Sequence, residues 1–310
     1  MILKKEIRIF CPATVSNVCC GFDVLGYCLD KIGDEMVVRR TTDKGVKISK
    51  IEGFDLPFEA HKNVAGVSAL ALMKDYQPEC GFEIEIYKRI KPGSGIGSSA
   101  ASASGSVYAI NQLLGRPYNK TQLTNFAIQG EFIASQSKHA DNLAPAIFGG
   151  FVFVKSIDPL EILDLPSPAE LYTVILHPQI EIKTAEARAI LPKSILFQNA
   201  KDQWSNLGSF IHGLHTNDHE LIKRSLHDSV AEPYRCQFIP HFKDLKNIAD
   251  NCGALGFGIS GSGPSMFALT KEKEVANEVE KALSAFYHKS DIKFQTYISK
   301  VNREGIQIIS

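Results

Sequence analysis

The chain has 310 residues, 44% of them hydrophobic, and its 34 basic and 34 acidic residues give a formal net charge of +0. Such a chain can bury one or two normal cores, and its composition argues against an intrinsically disordered protein. The neutral charge argues against proteins that bind nucleic acid or membrane surfaces, because their affinity needs a basic excess.

The first half of the chain contains mostly strand patterns, with helical patterns between them. Alternating apolar residues predict strands over residues 6–11, 25–30, 35–40, 46–51, 82–87 and 151–155. Helical spacing predicts helices over residues 63–73, 99–114 and 121–136. Thr121 is the predicted N-cap of the third helix, and Gly115 is the predicted stop of the second. Residues 12–23 are predicted to form a polar loop, and residues 139–150 an irregular segment or a short helix.

The second half begins after a stretch that is typical of a linker. Residues 156–170 carry three prolines and little periodicity, so we predict two domains, residues 1–157 and 158–310. Further strands are predicted over residues 171–176, 255–260, 265–269, 294–301 and 305–309, and helices over residues 184–191, 192–214, 220–230, 242–251 and 272–287. Because strands and helices mix without regular βαβ alternation, the predicted fold class is α+β.

The most informative stretch is residues 91–105, which consists almost entirely of glycine, serine and alanine. It joins the predicted strand 82–87 to the N-terminus of the predicted helix 99–114. Glycines let a ligand approach the backbone, and the N–H groups and dipole of the helix attract an anion. A mere surface turn would not require a helix so poor in bulky side chains behind it. The stretch therefore predicts a phosphate-binding loop, but not a Walker loop, because the chain has no Gly-Lys-Ser/Thr.

Several polar residues elsewhere fit either a structural or a chemical role. Asn17 and Asp23 lie in the predicted loop 12–23, where both residue types commonly form turns. Glu131 is predicted to lie in the middle of a helix with apolar neighbours. It is either a solvated surface residue or an oxygen ligand for Mg²⁺, which prefers carboxylates and substrate phosphates.

A second group of polar residues combines an imidazole, acid and amide with two arginines. His139, Asp141 and Asn142 lie within four residues of one another, ahead of an apolar run in which Asp141 alone would be a helix cap. Arg188 and Arg235 lie in two further segments, and either one alone is more often a surface residue. Arginine binds a carboxylate at two points, so two arginines directed at one pocket would indicate an acid substrate.

The cysteines and the apolar runs bear on the compartment. The chain has seven cysteines at irregular spacing and no C-x-x-C pair, which predicts reduced thiols in the cytoplasm rather than a zinc site. It has no run of about 18 apolar residues and no signal-peptide pattern, so we expect neither export nor a membrane span.

The string Pro92-Gly-Ser-Gly-Ile-Gly-Ser-Ser-Ala100 resembles the phosphate-loop motif of the GHMP small-molecule kinases. Further matches to the homoserine-phosphorylating branch of that family occur at residues 12–23, 131, 139–146, 184–192, 232–235 and 256–264. One departure is Cys19-Cys20, where the family usually has Gly-Pro. The resemblance therefore does not predict the backbone path from Asn17 to Asp23. Ile96 replaces a commoner leucine, which is a swap of similar volume.

The resemblance implies a two-domain GHMP kinase fold of the α+β class with the active site in the cleft between the domains. It implies transfer of the ATP γ-phosphate to the side-chain hydroxyl of L-homoserine, in threonine biosynthesis, with ATP and Mg²⁺ as cofactors. It implies a small-molecule substrate and no nucleic-acid or membrane partner, and it is compatible with a cytoplasmic homodimer.

The resemblance also implies roles for individual residues. ATP binding is implied for Asn63, Pro92, Gly93, Ser94, Gly95, Ile96, Gly97, Ser98, Ser99, Ala100, Ala101 and Ser102. Magnesium binding is implied for Ser98 and Glu131, and homoserine binding for Asn17, Asp23, His139, Asp141, Asn142, Arg188 and Arg235. Catalytic roles are implied for Asp141, Asn142 and Ser98. Asp141 either takes the hydroxyl proton or holds the substrate ammonium.

Two rival functions use the same residues differently. A GHMP kinase for another small alcohol, such as mevalonate or a sugar, would not need Arg188 and Arg235 together. A nucleotide sensor without catalysis would not need to keep both Ser98 and Glu131.

Overall fold

The computed structural model describes residues 5–310. Its strands, in chain order, are β1 (Glu6–Ser16), β2 (Leu25–Thr41), β3 (Val46–Glu52), β4 (Gly81–Tyr87), β5 (Phe151–Ile157), β6 (Leu160–Leu165), β7 (Tyr172–Pro178), β8 (Gly256–Ile259), β9 (Met266–Thr270), β10 (Phe294–Lys300) and β11 (Gln307–Ile308). Its helices are α1 (Val64–Tyr76), α2 (Ser98–Leu113), α3 (Lys120–Ser135), α4 (Leu143–Phe148), α5 (Thr184–Ala189), α6 (Phe197–Thr216), α7 (His219–Ser225), α8 (Glu232–Arg235), α9 (Phe242–Asn251) and α10 (Lys273–Tyr287). A short 3₁₀ turn, Cys236–Phe238, follows α8.

The strands form two sheets. The larger has the order β11-β1-β2-β4-β3, with β5 paired to β2 and β6 paired to β5. Within it β3 and β4 are parallel, and the other pairs are antiparallel. The smaller sheet is antiparallel with the order β10-β7-β9-β8. Helices α1, α2 and α3 pack on one another, and α2 also packs on β1 and β2. The mixture confirms the predicted α+β class.

Strand β7 lies between two hydrophobic cores and joins the halves of the molecule. Ile175 belongs to the core under the large sheet, whereas Val174 and Leu176 belong to the core that α9 and α10 cover. This alternation follows from the period of two residues in a strand. The hydroxyls of Tyr27 on β2 and Thr173 on β7 are 2.8 Å apart and connect the two sheets.

The N-terminal strands are longer than predicted. The expected loop 12–23 begins only after Ser16, because residues 12–16 continue β1 beyond an irregularity in its pairing between Pro12 and Thr14. The strands predicted over residues 25–30 and 35–40 are the single strand β2, which Lys31 interrupts with a φ of 60°. Three polar residues that suggested a loop, Thr14, Ser16 and Asn17, are buried here, and Ser16 and Asn17 line the cleft described below.

The predicted linker is wrong. Residues 160–165 form β6, which is antiparallel to β5 in the large sheet. It is an outer strand of that sheet, and Leu163 is 49% exposed, so its residues lack the clear alternation of a half-buried strand. The β5–β6 hairpin crosses the predicted division between residues 157 and 158, and that division stays a prediction.

The predicted cap of the third helix is also wrong. Asn119 is the N-cap of α3, and it forms a capping box in which its side chain accepts from the backbone of Gln122 at 2.9 Å. Glutamine three residues after asparagine is the pattern of a capping box, so the sequence contained this signal. The predicted helix 192–214 begins only at Phe197, and the predicted helix 220–230 ends at Ser225. Among residues 5–310, no helix is both long and apolar enough to cross a membrane.

Candidate active site

A cleft of about 610 Å³ is open between the phosphate-loop stretch, α3, α5 and the residues around α8. Most of the sequence-predicted site residues line it: Asn17, Asp23, Pro92, Gly93, Gly95, Gly97, Ser98, Ser99, Ser102, Glu131, His139, Asp141, Asn142, Arg188 and Arg235. Segments far apart in the chain therefore converge on one cavity.

The phosphate-loop stretch lies between β4 and α2, as predicted. Gly97 is the residue before α2, with a φ of +71° that favours glycine. A Cβ atom at Gly97 would lie 2.2 Å from Thr14 Oγ1, and one at Gly95 would lie 2.7 Å from the carbonyl oxygen of Gly263. These two glycines let the loop pack against β1 on one side and the 261–263 turn on the other.

A buried ion pair braces the base of this loop. Lys88 Nζ pairs with Asp34 and also donates to the carbonyl of Ser98 at 2.9 Å. The other carboxylate oxygen of Asp34 accepts from the backbone N–H groups of Arg89 and Ile90 at 2.7 and 2.9 Å. Lys88 is thus engaged in positioning the loop. The sequence carried no signal for this pair, because the partners are 54 residues apart.

The C-terminal half holds the loop from the opposite direction. Ser260 Oγ donates to the carbonyl of Gly95 at 2.7 Å, and the N–H of Ser265 donates to the carbonyl of Ser94 at 3.1 Å. The N–H of Gly261 donates to the carbonyl of Ser16 at 3.2 Å. The loop is therefore fixed by backbone and hydroxyl contacts from both halves of the chain.

The two serines at the start of α2 face different partners. Ser98 Oγ donates to the carbonyl of Ile90 at 2.9 Å. Ser99 Oγ donates to Glu131 Oε1 on α3 at 3.1 Å. Burial raises the pKa of Glu131. The hydroxyl that lies beside Glu131 thus belongs to Ser99, whereas sequence reasoning assigned that position to Ser98.

Asp141 and Asn142 are held against the end of β1. Asn142 Oδ1 accepts from Thr14 Oγ1, and Asn142 Nδ2 donates to Ser16 Oγ, both at 2.8 Å. Asp141 is 4% exposed. Burial, with a smaller effect of the Asp23 charge, raises the pKa of Asp141 to about 7. A carboxyl with such a pKa changes its charge near neutral pH.

Arg188 reaches from α5 across the cleft to the loop after β1. Its Nη2 donates to both carboxylate oxygens of Asp23 at 2.9 Å, and it lies 3.2 Å from His139 Nε2. Burial lowers the pKa of His139, and the Asp23 charge only partly offsets this. The three residues form one polar cluster, and Arg188 remains 39% exposed at its side chain.

Arg235 is the more deeply buried arginine, at 5% exposure. Its Nε donates to the carbonyl of Ala187, and its Nη1 donates to the carbonyl of Gly261, both at 2.9 Å. Burial lowers the pKa of Arg235. The Phe22 ring lies 4.9 Å from the Arg235 guanidinium carbon and 6.0 Å from that of Arg188. Both guanidinium groups therefore lie near the ring of Phe22, a residue that the sequence analysis did not assign to the site.

The loop that carries Phe22 has a left-handed backbone. Asn17, Val18 and Cys19 have φ values of 70°, 44° and 56°. Each such residue costs about 1–2 kcal/mol, so neighbouring contacts must hold the turn. Asn17 supplies two of them: its Nδ2 donates to the carbonyl of Gly261 at 2.7 Å, and its Oδ1 accepts from the N–H of Asp23 at 2.9 Å.

Cys19 ends this turn and Cys20 follows it, and both are buried. Gln203 Nε2 donates to the carbonyl of Cys20 at 2.9 Å. Burial raises the pKa of the Cys20 thiol to about 12, and that of Cys19 is raised as well. These thiols therefore fill the core and carry no thiolate at neutral pH.

Asn63 has a structural task. It is the N-cap of α1: its Oδ1 accepts from the N–H of Ala65 at 3.0 Å, and its Nδ2 donates to the carbonyl of Pro57 at 2.8 Å. Its neighbours Leu56 and Val64 line the cleft. Asn63 itself is not among the residues that line the cleft.

Comparison with known proteins matches the chain over most of its length. Residues 63–150 match the family described as GHMP kinases N terminal domain, and residues 210–289 match GHMP kinases C terminal. A homoserine kinase of Chlorobium phaeobacteroides is 42% identical, with 98% of this chain and 100% of that protein covered. A homoserine kinase of Chloroherpeton thalassium is also 42% identical, with the same coverage.

Solved structures agree with these matches. The crystal structure of homoserine kinase from Cytophaga hutchinsonii is 47% identical and superposes with a TM-score of 0.96 over 100% of this chain and 99% of that one. A mevalonate kinase of L. major, solved with R-mevalonate, shares the fold with a TM-score of 0.69 at 14% identity, over 96% of this chain and 95% of that one. The resemblance inferred from the phosphate-loop sequence is confirmed: the chain belongs to the GHMP kinase family and has its fold.

Proposed function

We propose that this protein is an ATP-dependent homoserine kinase, which transfers the γ-phosphate of ATP to the side-chain hydroxyl of L-homoserine and releases O-phospho-L-homoserine. One observation carries the proposal: a glycine loop, a buried carboxyl and two arginines over one aromatic ring share a single cleft. Homoserine kinases that match this chain over 98% of its length support the same assignment.

Each group of homoserine has a complementary group in the cleft. Arg235 and Arg188 would bind the carboxylate, since both guanidinium groups lie over Phe22. Asp23, which pairs with Arg188, would bind the ammonium. Asp141 and Asn142 would hold the hydroxyl next to the phosphate loop.

Phosphoryl transfer asks mainly for alignment and for stabilisation of charge on the transferred group. The N–H groups of the loop and of the first turn of α2 would bind the phosphates. We propose that Asp141 takes the hydroxyl proton, because a general base works best when its pKa lies near the operating pH, and that of Asp141 is about 7.

The residues beside the loop fit a magnesium ion. Mg²⁺ is bound in kinases by one or two carboxylates together with substrate phosphates. Glu131 is a half-buried residue whose carboxyl accepts from a serine hydroxyl. Residues 5–310 hold no cluster of three or more His, Cys, Asp or Glu that would bind a metal alone. We propose Glu131 and Ser99 as the protein ligands, with Ser98 shaping the loop behind them. When bound, Mg²⁺ would neutralise charge on the phosphates.

A coupled assay of ADP release tests the substrate. With Mg²⁺ present, L-homoserine should give rapid turnover, whereas mevalonate, galactose and homoserine analogues without the carboxylate should give little. A kinase for another alcohol would reverse that order. A nucleotide sensor would release ADP at the same low rate with or without any alcohol.

The two arginines should contribute unequally to homoserine binding. Arg235→Leu removes a charge-assisted contact of roughly 1.5–3 kcal/mol, so the KM for L-homoserine should rise about 10- to 150-fold, with the KM for ATP nearly unchanged. Arg188→Leu should have a smaller effect, because Arg188 must give up part of its bond to Asp23 to bind substrate. Arg235→Lys keeps the charge but loses the planar guanidinium that binds a carboxylate at two points, so it should restore homoserine binding only in part.

Arg116→Leu is a matched control, since the exposed side chain of Arg116 hydrogen-bonds only Gln112 on α2 among the contacts described for residues 5–310. It should leave both KM values as in the unaltered protein. An ordinary homoserine KM in both cleft variants would remove the arginines from the site and with them the case for an acid substrate. A role in threonine biosynthesis follows from this assignment, whereas the cytoplasmic location and the homodimer stay predictions.

A further inference from the structure

A second cavity, of about 270 Å³, lies behind the phosphate loop. Successive loop residues alternate between the two cavities. Gly93, Gly95 and Gly97 line the main cleft, whereas Ser94 and Ile96 line the second cavity. The loop is therefore a single layer of backbone that separates the two spaces.

The wall of this second cavity is positively charged. Lys31, Arg89 and Lys91 line it, against the single acid Glu35 among the lining residues. Arg8 neutralises Glu35, because its Nε donates to Glu35 Oε2 at 2.9 Å. Three cations around a small concave space raise the local concentration of anions.

Two hydrogen bonds fix the tautomer of His177, which lines the cavity. Lys91 Nζ can only donate, and it donates to Gln179 Oε1 at 3.2 Å, which turns the Gln179 amide nitrogen toward His177. That nitrogen lies 3.2 Å from His177 Nδ1, so Nδ1 is the acceptor and Nε2 carries the proton. Burial, with a smaller effect of the Lys91 charge, lowers the pKa of His177 to about 4, so the ring is neutral at neutral pH.

Two buried polar atoms in this wall lack a partner. His177 is 2% exposed and Ser94 is 1% exposed, yet neither His177 Nε2 nor Ser94 Oγ has a hydrogen-bond partner among residues 5–310. A buried donor without an acceptor costs about 1–3 kcal/mol, and native proteins rarely keep one without a reason. Two such atoms beside a cationic cavity indicate an acceptor that comes from outside the chain.

We propose that this cavity is a binding site for a small oxyanion-bearing ligand, a carboxylate or a phosphate, distinct from the ATP and homoserine sites. Oxygens of the ligand would accept from His177 Nε2 and Ser94 Oγ, and Lys31, Arg89 and Lys91 would balance its charge. The volume suits a compact metabolite rather than a nucleotide, because pockets for larger ligands span about 300–1,000 Å³. The site goes beyond the proposed kinase activity and does not depend on it.

Calorimetric titration of the complete protein tests the site. The main cleft is first saturated with Mg²⁺, L-homoserine and an ATP analogue that cannot be hydrolysed, so that anions cannot bind there. Inorganic phosphate and malonate are then titrated separately, and the tighter of the two identifies the source of the oxyanion. We expect one molecule to bind per chain, and Lys91→Met and Arg89→Met each to weaken binding about tenfold.

His177→Leu should weaken the same binding while its thermal unfolding is monitored, since His177 is buried and the change could affect the fold. Arg89 lies on the surface, so Arg89→Met keeps the test valid if the histidine variant does not fold. Lys47→Met, an exposed lysine on β3, is the control and should bind as the unaltered protein does. The proposal is overturned if neither anion binds with the cleft saturated, or if Arg89→Met and Lys91→Met bind as tightly as Lys47→Met.

Discussion

Replacing Gly97 with valine is expected to abolish ATP binding while the protein remains folded. Gly97 has a φ of +71°, and an added Cβ would lie 2.2 Å from Thr14 Oγ1 and 3.1 Å from Asn142 Oδ1. The new side chain must therefore push the loop away from β1 and break the Thr14–Asn142 hydrogen bond. The displaced loop would lose N–H contacts to the charged phosphates, worth roughly 1.5–3 kcal/mol each, so loss of two of them should weaken binding of an ATP analogue by at least about 100-fold in a titration.

A pair of alanine variants separates the clash from the backbone cost. Gly93 has a φ of +74°, close to that of Gly97, but a Cβ there would meet nothing within 4 Å. Gly93→Ala and Gly97→Ala thus carry a similar conformational cost, and only the second carries the clash. We expect Gly97→Ala to lose more ATP affinity. Equal losses would mean that backbone conformation alone governs the loop, and normal affinity in folded Gly97→Val would refute the loop assignment.

The loop could be predicted from sequence because all its signals are local. A strand, three alternating glycines and a helix of small residues are contiguous, and the helix begins at Ser98, one residue from its predicted start. The same holds for the strand before it, β4, which begins at Gly81 rather than residue 82. Local periodicity is the strongest signal in a single sequence, and it needs no knowledge of distant partners.

The contacts that complete the site could not be predicted in this way. Asp34 braces the loop through Lys88, and Phe22 brings Arg188 and Arg235 together, yet each partner is distant in sequence. Whether Ser98 or Ser99 lies beside Glu131 depends on a shift of one residue along the helix, because adjacent residues on a helix point about 100° apart. Residues 12–16 look like a loop because they contain a proline and two hydroxyl residues, yet they continue β1, and Thr14 and Ser16 bond the distant Asn142.

Asp141→Asn is expected to lower kcat by about 10²- to 10⁴-fold with a much smaller change in the KM for L-homoserine. Loss of a positioned general base typically has an effect of that size. Asparagine has nearly the same shape and can still bond Ser16, so the site should keep its geometry. Initial rates at saturating ATP, measured over a range of homoserine concentrations, give the two constants. A large rise in KM with kcat nearly kept would instead make Asp141 the ligand of the substrate ammonium.

The pH dependence supplies a second test of the same role. A base must be ionised, and the pKa of Asp141 is about 7, so kcat should rise with pH, reach half its maximum near pH 7 and level off above it. If Asp141 instead binds the substrate ammonium, kcat/KM should rise with pH in this way but kcat should not, because saturating substrate overcomes weak binding. The rise of kcat with pH should be absent from the Asp141→Asn variant.

Stability shows whether the loss of activity reflects chemistry or unfolding. The pKa of Asp141 is raised in the folded state, so the folded protein holds this proton more tightly than the unfolded chain, and stability falls as pH rises from about 4 to about 7. Asparagine removes this buried negative charge. Asp141→Asn should therefore unfold at a higher temperature than the unaltered protein at pH 8, and at a similar temperature near pH 4. An inactive variant that is more stable at pH 8 is the expected signature of a carboxylate kept buried for catalysis at the expense of stability. A variant that is inactive and also less stable at pH 8 would give Asp141 a structural role instead.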